Sequence, residues 1–138
     1  MMTGAAAAST MTSVVYLDTS AAVKLLSDER ESDRLRSYLD EGPTLVSSDL
    51  LETELRRIGI RHDIDQVLIT AVLDGVTLTP LRRDQFREAG LYPQIGLRSL
   101  DALHLAGALD IEASAILTYD IRLAEAARAH GLEVVAPG

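Results

Sequence analysis

Five short apolar runs, each separated from the next by helical patterning, constrain what this chain can fold into. SVVYLD (13–18), TLVSS (44–48), VTLTP (76–80), AILT (115–118) and LEVVAP (132–137) are brief and rich in β-branched residues, as strands are. Apolar residues three and four apart mark the helices between them. Ala22, Leu25 and Leu26 follow the first run, and Leu35, Tyr38 and Leu39 precede Gly42. LLETELRRIGI begins after Asp49, which is expected to cap it, and the next helix is expected to bury Ile64, Val67, Leu68, Ala71 and Val72. Residues 82–89, SLDALHLAGALDI (99–111) and an Ala-rich stretch closed by Gly131 complete the pattern. Strands joined through helices pair in parallel by right-handed crossovers, which puts helices on both faces of one sheet. The fold class is therefore α/β, with its ligand crevice expected outside the carboxyl ends of the strands.

A chain of 138 residues suits one domain, expected over residues 13–138. Cysteine is absent, which excludes a disulfide framework and a Cys-type zinc site and fits a reducing, cytoplasmic setting. The opening MMTGAAAASTMTS has neither a basic region nor a sustained apolar one, so no cleaved signal peptide is expected, and nothing reads as a membrane span. Residues 1–12 are read as a disordered tail, with Met11 an alternative start. A net charge of −8 opposes long-range capture of nucleic acid unless arginines or bound cations overturn it locally.

The acids fall where the topology matters most. Asp18 ends the first run and Asp120 follows the fourth, so both emerge at the same edge of a parallel sheet. Glu54 lies in the second turn of the helix leaving the second strand, near that edge. Asp101 lies in the first turn of the helix that runs back toward the fourth strand, which places it there too. Leu51, Glu54, Leu55 and Ile58 share one helical face, whereas Glu52 points away with Arg56. Asp101 sits in a segment apolar almost all round, where a carboxylate is costly to bury without a cation or donors.

Each of these residues also has an ordinary structural reading. Asp18 and Asp120 are good N-caps, and Asp101 is a first-turn acid favoured by the helix dipole. Glu54 is harder to explain away, because the dipole effect fades beyond the first turn. His104 reads as a core histidine that could accompany the acids, and Arg56, Arg57 and Arg61 as a solvated helix face with occasional phosphate contacts. Carboxylates without cysteine or a convincing histidine set are hard oxygen donors, suited to Mg²⁺ or Mn²⁺.

YLDTSAAVKLL, SSDLLETELRR, LRSLDALHLAGAL and ILTYDIRLAEAARAHGLEVV, in that order and spacing, resemble the successive motifs of the PIN-domain family, specifically VapC-type toxins of bacterial toxin–antitoxin pairs. The resemblance spans Val14 to Val135. It implies a three-layer α/β/α fold with a five-stranded parallel sheet in the order 3-2-1-4-5, and a Mg²⁺-dependent endoribonuclease. It places the acidic catalytic and metal-binding positions at Asp18, Glu54, Asp101 and Asp120, with Ser20 and Thr118 as supporting hydroxyls. On this reading Asp18 turns toward a metal while Thr19 or Ser20 caps the following helix. The implied partners are RNA, a cognate VapB-type antitoxin seated in an apolar groove along the helices after strands one and two, and a second copy of the chain. The alternative is a catalytically inactive module that keeps the fold and binds protein or RNA. A haloacid-dehalogenase phosphatase would need an aspartate where Ser20 stands, and a receiver domain a late lysine, whereas Lys24 is the sole lysine.

Overall fold

Side chains alternate along a strand, and that alternation in the first strand sorts the whole core. The computed structural model describes residues 13–138; the expected tail over residues 1–12 lies outside them. Five strands, β1 (Val14–Leu17), β2 (Thr44–Ser48), β3 (Thr77–Thr79), β4 (Ala115–Leu117) and β5 (Glu133–Val135), form one parallel sheet. Its order is β3-β2-β1-β4-β5, as expected, with Val15 opposite Leu45 on one side and Ala115 on the other.

Seven helices are described: α1 (Thr19–Val23), α2 (Ser32–Asp40), α3 (Leu50–His62), α4 (Gln66–Asp74), α5 (Arg83–Gly90), α6 (Ser99–Asp110) and α7 (Ile121–Ala129). Val15 and Leu17 pack with Ala21, Leu35, Leu51, Leu55, Ile69 and Leu73, so α1 to α4 cover one face. Tyr16 and Ile116 point the other way, onto Leu105 of α6 and Leu123, Ala126 and Ala127 of α7. Helix α5 packs outside α6 through Ala89, Ala102, Leu103 and Ala106. Among the described residues no helix is long and apolar enough to cross a membrane.

Three local expectations are corrected. The helix after β1 stops at Val23, because Leu25 and Leu26 bond three residues back and the Ser32 hydroxyl donates to the Lys24 carbonyl at 2.7 Å. Asp49 makes no side-chain cap; its N–H extends the β2–β3 pairing to the Thr79 carbonyl at 2.9 Å. Burial of Leu51 and Leu55 at about 2 kcal/mol each outweighs the roughly 1 kcal/mol a cap contributes, so α3 holds without one. Helix α4 buries Ile69 and Leu73, leaving Val67 71% and Leu68 53% exposed. Its rotation is set at Gly59 of α3, where a Cβ would stand 2.4 Å from Ile69 Cδ1: only a bare backbone lets Ile69 in.

Candidate active site at the carboxyl ends of the strands

β1 delivers Asp18 to the edge of the sheet with its backbone still in register. Its N–H bonds the Leu117 carbonyl at 3.0 Å, and the residue is 2% exposed. One oxygen, Oδ2, accepts from the Ser20 hydroxyl (2.6 Å), the Thr118 hydroxyl (2.8 Å) and the Ser20 N–H (3.2 Å). Asp18 therefore caps α1 itself, and the expectation that Thr19 or Ser20 would cap in its place is corrected. Each hydroxyl has a single proton. With both directed at Asp18, Ser20 Oγ accepts from Tyr119 N–H (2.9 Å) and Thr118 Oγ1 from Asp120 N–H (3.0 Å). The two supporting hydroxyls thus fix Asp18 and tie it to the turn after β4. Among the described residues Oδ1 accepts no hydrogen bond, and it lies 3.9 Å from His104 Nε2.

Thr19 turns inward. Its hydroxyl donates to Glu54 Oε1 at 2.8 Å, and His104 Nε2 reaches the same oxygen at 2.5 Å. Behind the ring, His104 Nδ1 is 2.7 Å from the Tyr16 hydroxyl, which accepts from Ser48 N–H at 3.2 Å. With the ring neutral, Tyr16 O–H donates to Nδ1 and Nε2–H donates to Glu54, with Thr19 Oγ1 also 3.3 Å from Nε2. Gly107, three residues beyond His104, makes room for this arrangement, since a Cβ there would meet the Tyr16 ring and hydroxyl at 3.2 Å. His104 is fully buried, as a core histidine should be, yet it also orients a candidate site residue. Tyr16 was not singled out from the sequence, and Thr19 only as a candidate cap that could also bond the site.

Asp101 and Asp120 complete the cup. Asp120 caps α7 by accepting from Leu123 N–H at 2.9 Å through Oδ1, so its structural reading holds and its other oxygen remains. Burial, then the negative charges of Asp120 and Asp18, raise Asp101 to about 6; His104 counteracts this and Glu54 adds slightly to it. Burial opposes the charge on Glu54 too, but the hydrogen bond and charge of His104 and the Thr19 hydroxyl prevail and hold it below the usual carboxylate range. For His104, desolvation pulls the other way and is outweighed by Glu54, Asp18 and Asp101, so the imidazole is raised. All four expected acids therefore share one electrostatic neighbourhood. Glu52 stands outside it, exposed and paired with Arg56 at 3.1 Å. Arg56 is less free than expected, because it also bonds Gln66 at 3.0 Å and joins α3 to α4.

The PIN domain family model matches residues 15–129 of this sequence. The chain belongs to the PIN domain family. Among VapC-type members, Ribonuclease VapC35 of Mycobacterium tuberculosis is 43% identical over 136 residues, covering 91% of this chain and 98% of its own length. The crystal structure of Mycobacterium tuberculosis VapC20, described as a sarcin-ricin loop cleaving toxin, superposes with a TM-score of 0.72 at 15% identity, over 89% of this chain and 99% of that one. VapBC2 of Rickettsia felis, solved with a DNA fragment from its promoter, gives 0.72 at 14% identity over 91% and 99%. At such identities the two structures speak for the shared fold.

The donor set of this PIN domain fits a hard divalent cation. Asp18 Oδ1 and Glu54 Oε2 accept no hydrogen bond among the described residues, and the burial and neighbouring charges that raise Asp101 to about 6 are a cost a divalent ion would offset. Among the described residues no three His, Asp or Glu side chains already stand in a metal-holding group. Asp18, Asp101, Glu54 and Asp120 would have to draw together to hold one.

Proposed function

We propose that this protein is a VapC-like toxin: a metal-dependent endoribonuclease that hydrolyses RNA phosphodiester bonds and is neutralised by a cognate VapB-type antitoxin. The observation that carries the reading is Asp101, a half-buried carboxylate raised to about 6 by burial and by two acids delivered from other strands. A carboxylate buried beside two others of its own charge is the kind of perturbation that functional sites concentrate. Bound there, Mg²⁺, with Mn²⁺ as a substitute, supplies positive charge that activates a water and offsets the charge gathering on the phosphate.

The residues of the chain do the positioning. Ser20 and Thr118 hold Asp18 by one oxygen, so the other keeps a fixed direction. Thr19 and His104 do the same for Glu54. Asp101, raised to about 6, is mostly ionised at neutral pH, and a bound cation would favour that state further. VapC35 is named a ribonuclease, and a structure of the same fold from Klebsiella pneumoniae is a toxin–antitoxin complex, which supports RNA as substrate and an antitoxin as partner. The apolar groove expected along the helices after β1 and β2 is one candidate seat for the antitoxin. Exposed apolar side chains in fact stand at Ile60, Val67 and Leu68 on α3 and α4 and at Phe86, Leu91, Ile95 and Leu100 around α5 and α6. A homodimer in the cytoplasm completes the reading. Incubation of total RNA with purified protein, with and without Mg²⁺, tests it: cleavage should require the ion and disappear in Asp18→Asn. Full cleavage by that variant would refute the assignment.

A second reading, a PIN fold that binds without cutting, is favoured by one fact: the acids are not gathered into a ready metal-holding group. Titration with Mg²⁺ separates the two, since a binding module would show no saturable response that depends on Asp18.

A further inference from the structure

We infer that Arg57 and Arg61 line a groove that grips the phosphates of the RNA strand next to the acidic cup, an inference that rests on the ribonuclease reading. Glu54, Arg57, Ile58 and Arg61 fall at i, i+3, i+4 and i+7, on one face of α3. With Thr53 and Leu100 of α6 they line a hollow of about 250 Å³. Glu54 belongs to both the hollow and the cup, so the hollow opens directly beside the carboxylates. A strand with a phosphate at the cup has its neighbouring nucleotides here.

Charge selects the occupant. The chain carries a net charge of −8, and four of its 13 Lys and Arg side chains are matched: Lys24 with Glu29 and Glu31, Arg36 with Asp33, Arg56 with Glu52, and Arg82 with Asp84 and Asp110. Arg57 and Arg61 are exposed and make no ion pair among the described residues. Their place in the last turns of α3 accounts for Arg61 through the helix dipole, but not for Arg57, nor for a concave wall shared with apolar Ile58 and Leu100. Guanidinium pairs one helical turn apart beside apolar Ile58 and Leu100 suit the alternating phosphate and sugar or base of a strand that continues from the carboxylates.

Binding of a short single-stranded RNA, read by fluorescence anisotropy in the Asp18→Asn background with Mg²⁺ present, tests the groove. Arg57→Gln/Arg61→Gln should weaken binding about tenfold at low salt and reduce the log–log salt slope by about 1.4, the contribution of two phosphates on a single strand. The charge-matched pair Arg30→Gln/Arg34→Gln, exposed and outside the hollow's lining, should leave the slope intact. An unchanged slope in the first pair, or an equal fall in both, would overturn the proposal. In the otherwise native enzyme the first pair should raise KM with kcat retained. Cleavage with KM unmoved would discard the groove and leave the ribonuclease reading standing; a native protein that cuts no RNA in Mg²⁺ would discard both.

Discussion

Replacing Asp101 with asparagine is expected to stabilise the metal-free protein at neutral pH while destroying its use of metal. In the folded state the carboxyl titrates at about 6 against an ordinary value of 3.8, first through burial and then through Asp120 and Asp18. Because the folded value is the higher one, the charge on Asp101 opposes folding above about pH 6, and the opposition fades as pH falls toward 4. At 1.36 kcal/mol per pH unit the full effect is about 3 kcal/mol, and half-burial lets solvent screen it to about half of that. Asparagine also forfeits roughly 0.5 kcal/mol of favourable carboxylate–dipole interaction in the first turn of α6. The net gain is therefore about 1 kcal/mol at pH 7.5 in EDTA, or roughly 3–6 °C in Tm. Urea unfolding at pH 7.5 and pH 4 should show the gain at the first and its loss at the second. Adding Mg²⁺ should stabilise the native protein and not Asp101→Asn, narrowing or inverting the order. If Asp101→Asn is no more stable than the native chain in EDTA at pH 7.5, or gains as much at pH 4, the electrostatic account of the cup is wrong.

Asp120 separates capping from ligation: Asp120→Asn should keep the cap of α7 and the thermal midpoint while weakening Mn²⁺ affinity in calorimetry, and Asp120→Ala should in addition lose about 1 kcal/mol of stability. Tyr16→Phe should cost about 1–3 kcal/mol in chemical denaturation, because it strands buried His104 Nδ1 and Ser48 N–H together; a neutral outcome would show that the hydroxyl is dispensable. The Glu54–His104 pair should stabilise most between about pH 4.5 and 6.5. The raised imidazole loses its contribution as pH climbs through its folded value, and the lowered carboxylate loses its own as pH drops through its folded value. His104→Gln should flatten the alkaline side of a stability–pH curve, and an unaltered curve would remove His104 from the network.

The layers and the rim were readable because both follow from order along the chain. Short β-branched runs between helices specify a parallel sheet, and a parallel sheet sends Asp18, Glu54, Asp101 and Asp120 to one edge whatever the loops do. Side-chain rotation was not readable in the same way. Helix α4 is apolar nearly all round, so its periodicity admits several buried faces, and only the close approach of Ile69 to Gly59 selects one. The Tyr16–His104–Glu54–Thr19 network joins residues up to 88 apart, which no local pattern records. Gly107 was its one sequence trace: a glycine in an otherwise apolar core helix, three residues after a histidine, marks a place where something large from another element comes close. Asp49 misled because Asp before an apolar helix is the ordinary cap signature, whereas its backbone was already committed to Thr79.

β1 is only four residues long, and its odd and even positions have separate duties. Val15 and Leu17 fill one hydrophobic layer, while Tyr16 and, just beyond the strand, Asp18 serve the opposite side, one bracing His104 from behind and the other standing 3.9 Å in front of it. Core and chemistry thus share a single parity. Inserting or deleting one residue within this strand would rotate anchor and acid away together and thrust aliphatic side chains into the cleft, so the innermost strand can drift in composition but never in phase.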